Sequence, residues 1–237
     1  MESSAPTGGQ SNLYDGYAQR KGWTAPHAYV DSDFYDQLWR TAGLADNRRV
    51  LEIGFGSGSF LDWALRRGHE AIGVDILPDM LAATAARGHD VRPGPLTAST
   101  FASERFDLVC AFDVFEHLTV AEIHQYIAIC LKLIDGPPIF LIRFPNGTSP
   151  LSVCYQNSDI THKTILSLGI INQIASEHGL VAKRINFRPY PQSLAGRIRR
   201  AAVYGARRII CLAIGFAYFG RSINLDPNIE ILLTAPE

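Results

Sequence analysis

Three short segments of this sequence combine glycine, carboxyl and imidazole groups at spacings that can bind a cofactor and move a proton. In the first, Glu52-Ile53-Gly54-Phe55-Gly56-Ser57-Gly58, three alternate glycines end a short apolar run and a helical pattern follows. Glycine permits the tight turn that this pattern needs, and it lets a flat ligand lie against the main chain. Asp75 closes the next apolar run, at about the 20-residue distance that brings a carboxylate to a ribose hydroxyl pair. The segment therefore predicts a nucleoside cofactor.

The spacing of the glycines distinguishes between nucleoside cofactors. The dinucleotide pattern G-x-G-x-x-G needs a glycine where this chain has Ser59, so a nicotinamide oxidoreductase is the disfavoured alternative. The pattern G-x-G-x-G preceded by Glu52 resembles motif I of the class I S-adenosylmethionine (SAM)-dependent methyltransferases. The resemblance implies SAM as the cofactor, with contacts from Glu52, Gly54, Gly56, Gly58, Asp75, Ile76 and Asp113. The segment Pro93-Gly94-Pro95-Leu96 lacks the acid that the family usually places near adenine, so no side chain is assigned to adenine.

The second segment, Asp113-Val114-Phe115-Glu116-His117, closes another predicted strand with the pattern D-x-x-E-H. It resembles the ubiquinone-biosynthesis O-methyltransferases and related small-molecule and sugar methyltransferases, which implies a place for Asp113 near the methionine part of SAM. At spacings i, i+3 and i+4, Asp113, Glu116 and His117 share one face of a helical turn, and the quinone branch implies Mg²⁺ there. Because Mg²⁺ prefers oxygen ligands, we favour the alternative that Glu116 and His117 cap and anchor the following helix, and we assign no metal.

The third segment is Phe144-Pro145-Asn146, followed by Asp159-Ile160-Thr161-His162. It resembles the P-N and D-x-T-H element of bacterial methyltransferases that act on sugars and cell-surface glycans. Methyl transfer to a hydroxyl is an in-line substitution in which the oxygen loses its proton, and an imidazole near neutral pH can accept that proton. We therefore predict His162 as the general base, with Asp159 orienting its ring and His117 as the second candidate.

The order of apolar runs predicts the elements that must position these residues. Strands are expected near residues 49–54, 70–75, 89–92, 106–112, 138–144, 181–188 and 227–234, with helices between most of them. This alternation predicts an α/β fold, a doubly wound Rossmann-like and mainly parallel seven-stranded sheet. We expect a disordered tail at 1–12 and a single domain at 13–237. That domain divides into an aromatic-rich helical cap at 13–46, a SAM-binding core at 47–192 and a helical insertion at 193–223.

The composition limits which binding partners and which cellular compartment are expected for this protein. The formal net charge of −1 gives no general attraction to nucleic acid. The four cysteines show no metal-binding spacing, and the N-terminal residues lack the basic and apolar pattern of a signal peptide. No uninterrupted apolar run reaches the roughly 18 residues of a membrane span. We therefore expect a cytoplasmic protein.

A basic block interrupts this neutral composition. Between Glu177 and Asp226 the chain has nine lysines and arginines, Arg188 among them, and no acid. The apolar run 209–219 follows, with eleven residues, which is too short to span. A basic amphipathic stretch before an apolar run is typical of interfacial helices. Residues 195–221 are thus interpreted as a peripheral contact with the inner face of the membrane or a lipid-linked substrate, with a solvated basic face and a homodimer contact as alternatives.

Together these patterns predict O-methylation of a hydroxyl on a sugar or glycan precursor by in-line transfer from SAM, with assistance from a histidine base. The acceptor is expected to be a small molecule, a sugar or a lipid-linked molecule, and no nucleic-acid partner is expected. Two alternatives remain at this point. One is O-methylation of a quinone or other small natural product, and the other is a SAM-binding protein without transfer activity.

Overall fold

The computed structural model describes residues 11–23, 32–101, 103–187 and 193–236. Within these residues the apolar runs form seven strands: β1 (Arg49–Ile53), β2 (Glu70–Asp75), β3 (Asp90–Pro93), β4 (Leu108–Phe112), β5 (Ile139–Pro145), β6 (Val181–Ile185) and β7 (Asn228–Thr234). The helices are α1 (Ser11–Tyr14), α2 (Tyr17–Arg20), α3 (Ser32–Thr41), α4 (Ser59–Arg66), α5 (Pro78–Ala85), α6 (Val120–Leu133), α7 (Val153–Gln156), α8 (Leu168–Glu177) and α9 (Leu194–Ile214). Short 3-10 turns lie at Phe115–His117 and Pro150–Ser152, and α9 continues as a π-helical turn at Gly215–Phe219.

The strands form one sheet in the order β3-β2-β1-β4-β5-β7-β6. Strands β1 to β5 pair in parallel, and β7 is antiparallel to both of its neighbours. Because β5 and β6 are both antiparallel to β7, β6 points the same way as the parallel strands. The carboxyl ends of these strands therefore meet at one edge, where open α/β sheets bind ligands. The predicted fold class, a doubly wound and mainly parallel seven-stranded sheet, is confirmed.

The strands and the central helices pack into the core from both faces of the sheet. Leu51, Val109 and Phe140 lie in one buried cluster, and Val50 and Leu108 lie in another. These neighbouring residues belong to different faces because successive side chains in a strand alternate. Burial on both faces fixes the strands in register and so fixes the turns that leave the carboxyl edge.

The aromatic residues of the N-terminal segment divide between two roles. Those of α3, including Tyr35 and Trp39, pack against Phe60 and Trp63 of α4 in the core. In contrast, Tyr14, Tyr17 and Trp23 pack with Phe55, Leu61, Leu77 and Met80 beside the turn that follows β1. The covering role expected of the cap therefore belongs to residues 11–23, while α3 is a core helix. Residues 1–10 of the predicted tail, and Tyr29 of the cap, lie outside the described residues.

Within the basic block, residues Leu194–Ile214 form the long helix α9, which is inserted between β6 and β7. None of the residues of α9 is buried. We expected this segment to be too short to span a membrane, and that expectation was based on the apolar run 209–219 alone. The continuous helix Leu194–Phe219 has 26 residues, and by length and composition alone it is long and apolar enough to cross a membrane. Arg188 of the basic block lies outside the described residues.

Candidate active site

The turn after β1 needs glycine at each of its three alternate positions. Gly54, Gly56 and Gly58 have φ angles of 68°, 52° and 76°, in the left-handed region that side chains rarely adopt. Space is also short, since a Cβ on Gly54 would lie 2.5 Å from Val114 Cγ2 and one on Gly56 would lie 2.9 Å from the Trp23 ring. The glycines are therefore needed both for the backbone conformation of the turn and for the close packing of Val114 and of Trp23 from the cap.

Asp75 ends β2 directly beside this turn. Its Oδ2 accepts a hydrogen bond from the Gly56 N–H at 2.8 Å, and its Oδ1 accepts one from the Leu77 N–H at 3.0 Å. Burial raises the pKa of the Asp75 carboxyl above its ordinary value, although these backbone N–H groups act in the opposite direction. Each carboxylate oxygen has a further lone pair, so the group is placed to accept hydrogen bonds from two neighbouring hydroxyls.

The cleft at the carboxyl edge passes over this turn. The predicted cofactor residues Gly54, Gly56, Asp75, Ile76 and Asp113 all line it. Its other walls come from the cap, the ends of several strands and α6, and include Tyr14, Tyr17, Trp23, Ile53, Val74, Leu77, Gly94, Pro95, Leu96, Val114, His117, Leu118, Glu122, Tyr126 and Lys163. The segment after β3, which offered no acid for adenine, supplies a glycine and two apolar side chains to the wall.

Two predicted cofactor residues do not line the cleft. Glu52 is buried within β1, and its Oε2 has no hydrogen-bond partner among the described residues. Burial, with the nearby Asp75 carboxylate as the next cause, raises the pKa of Glu52 well above its ordinary value. Gly58 lies beside Thr84 and begins α4. Both residues belong to the glycine turn or the strand before it and do not line the cleft. Their direct contact with SAM stays a prediction.

His117 lines the cleft and is held from behind by a chain of hydrogen bonds. Thr161 Oγ1 donates to Asp159 Oδ1 at 2.6 Å and therefore accepts from His117 Nδ1 at 2.8 Å. The Nδ1 atom of His117 thus carries the proton, and its Nε2 has a free lone pair. Burial, then the neighbouring His162, lowers the pKa of His117 to about 4. The ring is therefore neutral at physiological pH and able to accept a proton.

Two residues of the cap bind Asp159, the last residue in this series of hydrogen bonds. Tyr17 donates its hydroxyl hydrogen to Asp159 Oδ2 at 3.0 Å, and Lys21 Nζ lies 2.8 Å from the same oxygen. The hydrogen bonds from Lys21, Thr161 and Tyr17 outweigh partial burial and hold the pKa of Asp159 well below its ordinary value. Sequence reasoning missed Tyr17 and Lys21, because nothing in their local pattern indicates a partner so distant along the chain.

His162 lies beside His117 but has a different partner from the one predicted. Its Nδ1 donates to the Gln156 carbonyl oxygen at 2.9 Å. The prediction that Asp159 orients His162 is wrong, because Asp159 reaches His117 through Thr161 instead. The reason is local geometry: the backbone N–H of Thr161 bonds Asp159 Oδ1 at 3.0 Å in a tight turn, which turns the carboxylate toward the cap and the cleft.

The two histidine segments meet through backbone hydrogen bonds. The N–H groups of Lys163 and Thr164 both donate to the carbonyl oxygen of Glu116, at 2.8 and 3.1 Å. The expectation that Glu116 and His117 cap the following helix is wrong, since Thr119 caps α6 in a reciprocal capping box with Glu122. Glu116 and His117 instead form part of a separate 3-10 turn against residues 161–164, in which the Glu116 side chain is buried and the His117 side chain lines the cleft.

The metal set suggested by the sequence is not the one that the fold brings together. Asp113 faces Arg143, with 3.5 Å between Oδ1 and Nε, whereas ligand atoms of Glu116, His117 and His162 lie within 4.8 Å of one another. Burial, then Asp113, raises the pKa of Glu116 well above its ordinary value. Two imidazoles and a single carboxyl group do not fit Mg²⁺, which prefers several oxygen ligands.

Comparison with known proteins agrees with this geometry. A family model for a methyltransferase domain matches residues 51–134, from β1 through the end of the α6 region. Over these residues the chain is similar to a methyltransferase domain. The matched region contains the glycine turn, Asp75 and the D-x-x-E-H turn.

Solved structures share the fold of this chain. A SAM-dependent methyltransferase from Archaeoglobus fulgidus superposes with a TM-score of 0.58 at 22% identity, covering 79% of this chain and 86% of that chain. A second one, from Mesorhizobium loti, has a TM-score of 0.58 at 13% identity and covers 89% of this chain and all (100%) of that chain. Identities this low support the common architecture and say nothing about the acceptor.

A relative with an assigned activity matches part of this chain. The ubiquinone biosynthesis O-methyltransferase of Azorhizobium caulinodans is 28% identical over 106 residues, which is 42% of this chain and 41% of the relative. This chain therefore spans less than half the length of that relative.

Proposed function

We propose that this protein transfers the methyl group of SAM to a hydroxyl group of a sugar or glycan precursor, with His117 as the general base. The observation that carries the proposal is the position of His117 in the cleft wall, with Nδ1 protonated and Nε2 free. His162 was the first candidate from sequence, but it lies behind His117 and is absent from the cleft wall. We therefore assign His162 a supporting role.

Different residues of the cleft contact the cofactor and the acceptor in this proposal. The glycine turn and Asp75 suit the nucleoside of SAM, and SAM supplies an activated methyl group when it is bound. Among the other lining residues, His117, Glu122 and Lys163 present polar groups that we assign to the acceptor, and Asp113 keeps its predicted place near the methionine part of SAM. His117 Nε2 takes the hydroxyl proton as the acceptor oxygen forms its bond to carbon and the bond from carbon to sulfur breaks. The proton remains on the imidazole until solvent removes it.

Asp159 favours proton acceptance at His117, whereas burial and then the neighbouring His162 oppose it and lower the pKa of the ring to about 4. The Asp159–Thr161 pair fixes the ring orientation, and the carboxylate at the end of this series of hydrogen bonds offsets part of the cost of positive charge on the imidazole. Holding the base at the correct distance and angle lowers the barrier in its own right. The cap residues Tyr17 and Lys21 hold Asp159, which links closure of the cap to the orientation of His117.

The alternative acceptor is a phenol or quinone-type molecule. The partial similarity to a ubiquinone biosynthesis O-methyltransferase favours it, and so do the aromatic side chains of Tyr14, Tyr17 and Trp23 in the cleft wall. Aromatic faces stack on phenols, but they also stack on sugar rings. The polar groups beside His117 lead us to prefer the hydroxyl-rich acceptor.

The proposal is tested by a methyl-transfer screen with labelled SAM across hydroxylated sugars, nucleotide sugars, lipid-linked sugars and phenols. We expect turnover with a sugar-type acceptor and its loss in His117→Ala. Turnover with phenols alone would establish the alternative acceptor. SAM binding measured by calorimetry, without methyl transfer to any acceptor, would instead support a non-catalytic SAM-binding role.

A further inference from the structure

One exposed face of the helix α9 carries an apolar stripe, opposite the partly buried positions of the helix. At 100° per residue, Leu194, Ile198, Ile209, Leu212 and Phe216 fall within an arc of about 60°, and they are between 49% and 86% exposed. The partly buried positions of the helix, such as Arg200, Tyr204 and Cys211, lie on the opposite side. Surface helices normally turn the apolar stripe to the core, so this stripe is oriented toward an external apolar phase.

Positive charge flanks this outward stripe. On the same helical projection, Arg197, Arg199 and Arg208 lie within about 110° of the centre of the stripe, and each is exposed. The sequence has no acidic residue between Glu177 and Asp226 to balance them. An apolar stripe with basic residues on both sides is complementary to a partner that has an apolar interior and an anionic surface.

We propose that α9 docks this protein on the surface of a membrane that contains anionic lipids. The outward stripe enters the boundary between headgroups and acyl chains, and the flanking arginines contact lipid phosphates. A second copy of the chain fits this surface poorly, because two such helices would bring arginines against arginines with no carboxylate between them. Charge complementarity therefore favours anionic lipid over self-association.

The attachments of the helix decide that it lies along the membrane instead of crossing it. At the C-terminal end, Gly220 reverses the chain with φ 62°, and Gly215 packs against the backbone of Arg221 and Ile223. The returning chain is fixed to the body, since Leu225 O accepts from Ser149 Oγ at 2.7 Å and Asp226 O accepts from Asn146 Nδ2 at 3.1 Å.

The N-terminal end is held by an equally short connection. Residues 186–193 join Ile185 of β6 to Leu194, and these nine Cα–Cα steps span only about 30 Å when fully extended. A helix of 26 residues is about 39 Å long, and the hydrocarbon core is about 30 Å thick. If the helix crossed, this connection would have to return through the whole hydrocarbon core as a fully extended chain with its backbone polar groups unsatisfied, which is strongly unfavourable. Both ends therefore stay on one side of the membrane.

The insertion leaves the sheet at the edge where the cleft lies. Ile185 ends β6 and pairs with Glu230 near the start of β7, and Asn146, which fixes the returning chain, follows β5 at the same edge. Resting on the proposed function, this placement favours an acceptor that is itself held in the lipid surface, such as a lipid-linked sugar. Docking itself does not depend on that function and can be measured without any acceptor.

The test is co-sedimentation of the full chain with vesicles of phosphatidylcholine that contain phosphatidylglycerol, compared with vesicles of phosphatidylcholine alone. We expect binding to the anionic vesicles that weakens at high salt. The triple variant R197Q/R199Q/R208Q should partition roughly 100-fold less, since each basic residue near an anionic surface adds about a tenfold or smaller factor. The matched control R40Q/R66Q/R105Q removes three exposed arginines elsewhere and should bind nearly as wild type.

The apolar part of the surface is tested separately. I209S/F216S should lose at least about tenfold in partitioning, whereas Leu65→Ser, which alters an exposed leucine on α4, should have no effect. Circular dichroism and SAM affinity establish that each variant is folded. Absence of wild-type binding to anionic vesicles would overturn the proposal, as would a dimer in light scattering that I209S/F216S abolishes while vesicle binding is unchanged. Failure of the methyl-transfer screen with intact vesicle binding would overturn only the proposed function.

Discussion

The imidazole rings of His117 and His162 lie edge to face, with 4.6 Å between their centroids and an angle of 72° between their planes. Each ring uses Nδ1 as a donor, His117 to Thr161 and His162 to the Gln156 carbonyl. One ring nitrogen of each histidine and a carboxyl oxygen of the buried Glu116 lie within 4.8 Å of one another. Of the two rings, His117 lines the cleft and His162 does not.

Replacement of His117 tests the base directly. His117→Ala should lower kcat by about 10²–10⁴ and leave SAM affinity nearly unchanged, which is the usual range for loss of a positioned base. His162→Ala should cost less, because its ring supports His117 from behind. His124→Ala removes a histidine that contacts His178 outside the cleft and serves as the matched control. Near-normal kcat in His117→Ala with the true acceptor would contradict the assignment.

The pH dependence of kcat/KM gives a second test of His117. Because burial lowers the pKa of His117 to about 4, the ring stays neutral until the pH falls to that region, and only then loses its ability to accept a proton. We expect the acid limb of kcat/KM at about pH 4, with folding monitored at each pH by circular dichroism. A limb near 6.5, the value of an unperturbed histidine, would contradict this expectation.

Thr161 is expected to act as a positioning residue. Thr161→Val removes the hydroxyl that connects His117 to Asp159, so kcat should fall about 10- to 100-fold through misalignment of the base, with KM for the acceptor little changed. Thr161→Ser keeps the hydroxyl and should restore most of kcat. Rescue by serine separates positioning from packing; equal losses in both variants would leave the hydroxyl without a role.

Asp75 is predicted to hold the ribose of SAM. Asp75→Ala should weaken SAM binding at least about tenfold, since it removes charge-assisted hydrogen bonds. Asp75 also accepts from the Gly56 N–H, so Asp75→Asn is measured beside it as a variant of similar size. Asp79→Ala, at an exposed position in the first turn of α5, is the control. Unchanged affinity by calorimetry in Asp75→Ala would remove the residue from the cofactor site.

Metal removal distinguishes proton transfer from metal assistance. Two imidazoles and the single carboxyl group of Glu116 are a poor ligand set for Mg²⁺, so turnover should be unaffected by EDTA and by added Mg²⁺. The same assay with Mn²⁺ or Zn²⁺ after EDTA treatment covers ions that accept imidazole ligands. Loss of turnover in EDTA, restored by one of these ions, would make Glu116, His117 and His162 a metal site instead of a base.

Glu230 should make stability depend on pH. Burial raises the pKa of Glu230 from 4.5 to about 7, against the opposing effect of Arg143. Between these two values the folded state keeps a proton that the unfolded state releases, so this contribution to stability falls as pH rises from 4.5 to 7 and is flat above that. Glu230→Gln removes the dependence, and its free energy of unfolding relative to wild type should rise by up to about 3 kcal/mol from pH 5 to pH 8. Urea titrations at both pH values measure it; a pH-independent difference would contradict the shift.

The sequence by itself determined the fold class and the cofactor turn. All seven strands were predicted within about three residues, because apolar runs and their breaks are local signals. The glycine turn and Asp75 were found for the same reason: their spacing along the chain is set by one βαβ unit. The limits of this approach appear at β6, which ends at Ile185 where the pattern suggested residue 188.

Only the tertiary structure decided which acidic and imidazole groups work together. Asp159 lies close to His162 in sequence, yet a tight turn and the cap direct its carboxylate to Thr161, Tyr17 and Lys21, and so to His117. Likewise, the direction of the apolar stripe on α9 follows from the attachment of the helix ends and not from its own pattern. A helical period shows which residues share a face, but the fixed connections to the sheet determine whether that face meets the core or the surroundings.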